Sequence, residues 1–483
     1  MSVNHVDVLI VGAGISGIGT AYHLQKHSPD RSYTIIEARQ EVGGTWDLFR
    51  YPGIRSDSDM YTFGFNFKPW SSPKAISPGE DIREYVKEAA VENGIYSNIL
   101  FSHKVVRASW SSEDKYWSVT VVNTTTDQQQ LVTCNFFFSA SGYYNYDEGY
   151  TPDFRGRDDF EGEIIHPQKW PESLDYSGKK VIVIGSGATA VTLVPTMAET
   201  AEQVIMLQRS PSYIVALPAK DKIANFLRRY LPPKIAYSLS RWRKILLGMF
   251  MFNFARRYPD KTKQMIMDGA KTYLGDDYDI YKHFSPSYNP WDQRICLVPD
   301  GDLFTAIRHG KAVVVTDHID SFTKNGIKLK SGEELAADII VTATGLNAVI
   351  LHNISFEVDG KPIDIGKTFC YKGMMLSGMP NFAFSMGYTN ASWTLKSDLV
   401  GQYIARLLIY MSDKSFQQCV PTIPPQGIEV EPLMDFSSGY VLRASDAMPK
   451  QGMHKPWRLS QNYVLDRISL STGSVNDSSI YFS

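Results

Sequence analysis

Val6-Asp-Val-Leu-Ile-Val-Gly12-Ala-Gly14-Ile-Ser-Gly17 is the stretch that decides the fold. A run that is apolar but for Asp7 enters three spaced glycines, and a helix-like segment, Ile18 to Lys26, follows. Continuous Val/Ile strands suit a parallel sheet buried on both faces. Gly12, Gly14 and Gly17 answer three steric demands of a pyrophosphate: a tight turn, close backbone approach, and contact between helix and strand. The start of the helix then offers free N–H groups to an anion. The next strand, Tyr33-Thr-Ile-Ile-Glu37, ends in a carboxylate placed for a ribose 2′-hydroxyl.

The same grammar returns farther on. Lys179-Lys-Val-Ile-Val-Ile184 runs into Gly185-Ser-Gly187-Ala-Thr-Ala190, and the following strand, Gln203-Val-Ile-Met-Leu-Gln-Arg209-Ser210, ends in a cation. Arg209, aided by Ser210, can clamp a 2′-phosphate that a carboxylate would repel. The first unit is therefore expected to take FAD and the second NADPH, with hydride transfer between them.

A chain of 483 residues exceeds one hydrophobic core. The expected class is α/β: two Rossmann-like dinucleotide-binding domains with a helical insertion. The FAD-binding domain is read as 1–145 and 341–483, the latter including a C-terminal segment. The NADPH-binding domain is read as 146–217, with a linker motif, and 289–340. The insertion is 218–288, where Lys220 to Lys271 reads as helices broken at Pro232-Pro233. Within it, Arg241 to Arg257 mixes Trp, Leu, Met and Phe with cations, and reads as a wall over a substrate channel in preference to a lipid-facing surface. Thr389 to Met411 reads as helix, and the last forty residues as loop with short strands. A net charge of −2 calls for neither nucleic acid nor an acidic partner. Four scattered cysteines without a C-x-x-C pair argue against a disulfide framework, a metal site and a dithiol center, and favor a cytoplasmic setting. The run into Gly12 is a first strand, not a signal peptide, and Ile245 to Phe254 is too short to span a bilayer.

Two longer motifs narrow the reading. Phe160-Glu-Gly162-Glu-Ile-Ile-His166-Pro-Gln-Lys-Trp170-Pro171 matches F-x-G-x-x-x-H-x-x-x-W-P. Gly43-Gly44-Thr-Trp46-Asp-Leu-Phe-Arg-Tyr51-Pro52-Gly53-Ile-Arg-Ser-Asp57 matches a second fingerprint, built on G-G-x-W and P-G-x-x-x-D. With both glycine loops, the chain resembles type I Baeyer–Villiger monooxygenases (class B flavoprotein monooxygenases) over nearly its whole length, most nearly the bacterial ethionamide-activating group. The resemblance implies that NADPH reduces FAD, that O₂ adds at C4a, and that the C4a-peroxyflavin attacks a ketone carbonyl to give an ester or lactone. It implies a catalytic charge at Arg294, in Asn289-Pro-Trp-Asp-Gln-Arg294-Ile-Cys-Leu-Val-Pro299, posed by Asp57. Gln293 stands where many relatives carry a Lys for the 2′-phosphate, which leaves Arg209 as the main reader. Gly44 and Trp46 are expected beside the flavin.

By the same likeness, the Phe160–Pro171 motif belongs to the linker between the nucleotide domains. His166 then reads as a hinge or packing residue in preference to a general base, and Trp170 as the linker's anchor. Ser139-Ala-Ser-Gly142 and Thr342-Ala-Thr-Gly345 resemble turns where such chains cross between domains. The helix opening near Ser392 is expected to aim its positive end at the flavin. Expected substrates are small apolar ketones or thio compounds together with O₂, with sulfur and nitrogen oxidation alongside. An N/S-oxygenating flavin-containing monooxygenase and an NADPH:quinone reductase are the alternatives.

Overall fold

The computed structural model describes residues 4–424, 428–434 and 436–483. His5–Val11 lies at the heart of a nine-stranded sheet, parallel to Tyr33–Ile36 on one side and Gln129–Ser139 on the other. The sheet continues antiparallel through Tyr116–Asn123 and His103–Ser111, and Ser355–Val358 runs parallel beyond them. The unalternating first strand is buried on both faces. Val8 and Ile10 meet the helices Ile15–His27 and Trp393–Asp413, whereas Leu9 and Val11 meet Trp110, Trp117 and Phe382.

The second sheet has five strands, all parallel, in the order Ala312–Thr316, Gln203–Gln208, Lys180–Ile184, Ile339–Thr342, Glu163–Ile165. Val181 and Val183 pack under the helices Ala188–Met197 and Asp302–Arg308. Ile182 and Ile184 pack against a three-stranded meander running from Ile319 to Ala336. The chain passes between the two sheets twice. The two crossings, Tyr144–Gly149 and Leu346–Ala348, pair antiparallel with one another, and the Tyr150 N–H donates to Gly345 O at 3.0 Å.

Four helices interrupt the second sheet's body: Lys222–Tyr230, Pro233–Arg257, Pro259–Leu274 and Ile280–Phe284. Asp221 caps the first through the Ala224 N–H, and prolines open the second and third, where no N–H partner is needed. The insertion is fastened to the first body by Arg241, which is 3% exposed. Its guanidinium donates to the carbonyls of Tyr61, Thr62 and Gly64 at the end of the short helix Met60–Phe63.

The last forty residues hold more order than their composition suggests. Tyr463–Ser471 is a helix, capped by Asn462 and laid against Trp393–Asp413. Nine residues make a marginal helix alone. Its stability comes from packing Tyr463 and Leu470 into the core of the first body, a contact that local sequence does not announce. No helix among the described residues is long and apolar enough to cross a membrane.

Candidate functional site

Each glycine loop stands at the carboxyl end of its parallel strand, and each is shaped by backbone that leaves no room for a side chain. Gly12 has φ +103°, and a Cβ there would lie 2.7 Å from Ala140 O; one on Gly17 would lie 1.9 Å from Gly12 O. Gly185 has φ +137°, and a Cβ there would lie 2.3 Å from Ala343 O. The two loops therefore rest on matching residues, Ala140 and Ala343, each in the turn where its body hands the chain to the other. Gly14 and Gly187 precede the helices Ile15–His27 and Ala188–Met197, and neither helix start is capped by a side chain. Both leave N–H groups for an anion. Gly44, at φ +56°, brings its Cα beside Gly14, so backbone faces backbone.

Glu37 is buried at the end of its strand. Its two oxygens accept from the N–H groups of Ala13 (2.7 Å) and Arg39 (2.9 Å). Burial pushes its carboxyl up, and these donors pull it back. Arg209 and Ser210 are exposed beside the second loop, and Arg209 makes no ion pair or side-chain hydrogen bond among the described residues. The Ser186 hydroxyl donates to Ser210 O at 3.0 Å and ties that strand end to the loop. Ala190 is fully buried under the loop, so its small size serves helix–strand packing.

The second fingerprint bridges the bodies. A Cβ on Gly53 would fall 2.1 Å from Thr196 Oγ1, on the helix after the second loop. Arg55 pairs with Asp302 at 2.5 Å. Asp57 takes Arg294 in two places, Nε to Oδ2 at 2.9 Å and Nη2 to Oδ1 at 3.4 Å. Asp57 raises the affinity of that guanidinium for its proton, against a smaller opposing effect of burial. Its side chain nonetheless stays 39% exposed, so the charge is fixed and still reachable. Tyr143, Tyr144 and Tyr440 surround it, with the first two hydroxyls 2.9 Å apart. Burial pushes all three phenols up, so they remain neutral. Gln293 lies next to Arg294, half-buried. Trp46 packs edge-on to Phe63 at 5.6 Å, on the first body.

The Phe160–Pro171 motif gathers at the crossing. Phe160 packs into the core under the meander, and a Cβ on Gly162 would lie 2.3 Å from Asp338 O. His166 Nε2 is 3.1 Å from Gly345 O, and Nδ1 accepts from the Gln168 N–H. That pattern fixes the neutral Nε2–H tautomer. A Cβ on Gly149 would sit 1.9 Å from the imidazole Cε1, so the ring is seated on one crossing strand while bonded beside the other. Trp170, followed by Pro171, packs against the second body's core near Tyr176.

Sequence reasoning missed the phenol cluster, Arg55–Asp302 and Trp393, whose indole donates to Ser16 Oγ at 2.8 Å. Tyr143 and Tyr144 directly follow the Ser139–Gly142 turn and were within reach. Tyr440 carries no sequence signal, since it arrives from a segment with neither motif nor periodicity.

Two nucleotide-type loops, one on each body, with an Arg–Asp pair held between the bodies, are the marks of a two-dinucleotide α/β protein. Residues 6–227 match the model of the "Flavin-binding monooxygenase-like" family. The chain is 53% identical over 479 residues to "FAD-containing monooxygenase EthA" of Mycobacterium tuberculosis, covering 99% of this chain and 98% of that protein. It is 48% identical to "Probable FAD-binding monooxygenase AlmA" of Acinetobacter baylyi, covering 99% and 96%. In fold it is similar to an oxidized steroid monooxygenase bound to NADP, with TM-score 0.78, 22% identity and 99% of each chain covered. The chain belongs to the flavin-binding monooxygenase-like family.

Proposed function

We propose that the chain is an FAD- and NADPH-dependent monooxygenase that inserts one atom of O₂ beside a ketone carbonyl, giving an ester or lactone, and that also oxidizes sulfur and nitrogen centers. In this reading FAD is held by 1–145 and 341–483, and NADPH by 146–217 and 289–340. The residues present fit both groups. Gly12, Gly14, Gly17 and Gly44 leave a cradle of bare backbone at an uncapped helix start. Glu37 keeps lone pairs free for a ribose hydroxyl. Around Gly187 nothing lies within 4 Å of an added Cβ, and Arg209 stands beside it free to meet a 2′-phosphate. FAD, when bound, supplies the electron relay from NADPH to O₂ and the oxygen transfer itself.

The protein's own contribution is charge and position. Arg294 carries a permanent positive charge between the two bodies, available to any oxyanion that develops on the substrate. Asp57 holds its plane and rules it out as a proton donor. Tyr143, Tyr144 and Tyr440 line the same place as neutral hydrogen-bonding walls. His166 has both nitrogens committed, which leaves it to govern how the crossing strands sit. The Asp57–Arg294 pair, spanning the two bodies and partly exposed, is the observation that carries the reading. Arg294→Ala is expected to keep flavin content and anaerobic reduction by NADPH while losing ester formation from a ketone panel by at least a hundredfold, as for loss of one preorganised charge, about 3 kcal/mol. Ester formation at the native rate would remove Arg294 from this role. Sulfoxide without ester from the unaltered enzyme would assign the site to sulfur and nitrogen oxidation alone.

A further inference from the structure

The outward side of the helical insertion, where Arg241 to Arg257 was expected to wall a substrate channel in preference to facing lipid, is open and has no partner among the described residues. Between 220 and 263 stand twelve Lys and Arg against two Asp, whereas the chain as a whole is at −2, which puts the remainder at −12. On Lys222–Tyr230, Ile223, Phe226 and Tyr230 recur at i, i+3 and i+7, and are 52%, 62% and 63% exposed. On Pro233–Arg257, Ile235, Leu239, Leu246 and Phe250 follow at intervals of four, seven and four. That spacing sets them on one stripe, and each is about half exposed or more. The two helices pack side by side. Lys222, Arg229, Lys234 and Arg257 flank the stripes, exposed and, among the described residues, outside the segment's ion pairs, which join Arg243 and Lys244 to Asp221 and Arg256 to Asp292. Open apolar surface of this extent on a folded chain marks an interaction site.

We propose that this face docks the protein on a lipid bilayer carrying anionic headgroups. Charge complementarity selects that occupant. A second copy would bring an equally cationic segment against this one, and like charges oppose such a contact. The acidic remainder of the molecule is repelled by the same bilayer, so docking is oriented. The contact is peripheral: the apolar stripes enter the boundary between headgroups and acyl chains, with the cations held at the phosphates. Arg256 pairs with Asp292 at 2.7 Å, and Phe252 packs edge-on to Trp291 at 5.4 Å. The docked helix is thereby tied to the segment that carries Arg294. Delivery of membrane-dissolved apolar substrates rests on the function proposed above; the docking itself does not.

Co-sedimentation of the full, flavin-loaded protein with vesicles tests this. Vesicles with about 30% phosphatidylglycerol should carry the protein down at about 0.1 M salt and release it at about 0.5 M, while pure phosphatidylcholine should retain little. Reversing four charges together (Lys222→Glu, Arg229→Glu, Lys234→Glu, Arg257→Glu) should weaken binding more than a hundredfold, at roughly fivefold per lost cation. Phe226→Ser with Phe250→Ser should weaken it roughly tenfold or more at unchanged charge. Flavin content and turnover of a water-soluble substrate should be unaltered in both variants, which separates lost docking from misfolding and from failure of the proposed reaction. No binding at low salt, equal binding to both vesicles, or self-association removed by the same substitutions would overturn the proposal.

Discussion

At the residue scale, two side chains have separable jobs in the proposed reading. Arg209 has no acidic partner among the described residues and stands next to the second loop, so Arg209→Ala should raise the KM for NADPH about ten- to a hundredfold, as for loss of one charge-assisted contact. The KM for NADH should barely move; steady-state kinetics with both cofactors decides, and an equal loss for both would reassign the residue. His166 supplies a pH prediction. Burial lowers its pKa from the ordinary 6.5, and its bond to Gly345 opposes this less strongly. An imidazole that is harder to protonate when folded stabilizes the protein above its ordinary value and ceases to do so as pH falls. Melting temperature should therefore drop from about pH 7.5 to about pH 5.5, and drop less in His166→Gln, as a thermal-shift series would record. The glycines, Glu37 and Arg209 were readable because each meets a local demand at a fixed spacing. Tyr440 and Asp302 were not, because they act on residues hundreds of positions away and nothing in their neighborhoods marks them.

At the scale of elements, close approach does most of the positioning. Gly149 has no room for a methyl group against the His166 ring. Gly149→Ala should therefore keep bound flavin but slow turnover and raise NADPH oxidation without product, measured as the ratio of oxygenated product to NADPH consumed. A native ratio would show that the ring's seat on the crossing strand does not matter. Arg241 is an anchor of another kind: Arg241→Met removes the donor from three buried carbonyls and should cost about 2–4 kcal/mol in chemical denaturation. The strands were legible from their unbroken Val and Ile runs, and the insertion's helices from their composition and prolines. The helix Tyr463–Ser471 was not, since a segment of nine residues owes its order to the surface it lies on.

For the molecule as a whole, two repeated strand–glycine–helix patterns sufficed to read two nucleotide bodies in one chain. How those bodies meet was less accessible. The crossing strands Tyr144–Gly149 and Leu346–Ala348 carry no pattern of their own, and the net charge of −2 conceals a segment at +10 balanced by the rest. Among the described residues, Arg55–Asp302 and Asp57–Arg294 are ion pairs that join the two bodies near the loops. Arg55→Ala should loosen the contact between the two bodies, expected as a higher rate of NADPH consumption in the absence of substrate at unchanged flavin content. The paired crossing has a broader consequence. Because Tyr150 and Gly345 touch, everything between them leaves and rejoins the first body through one narrow seam. Such a stretch is a cassette: a homologous piece cut at those two positions could be transplanted whole, provided the donor supplies its own matches to Thr196, Arg241, Arg294 and Asp302, and the first body would need no rewiring to accept it.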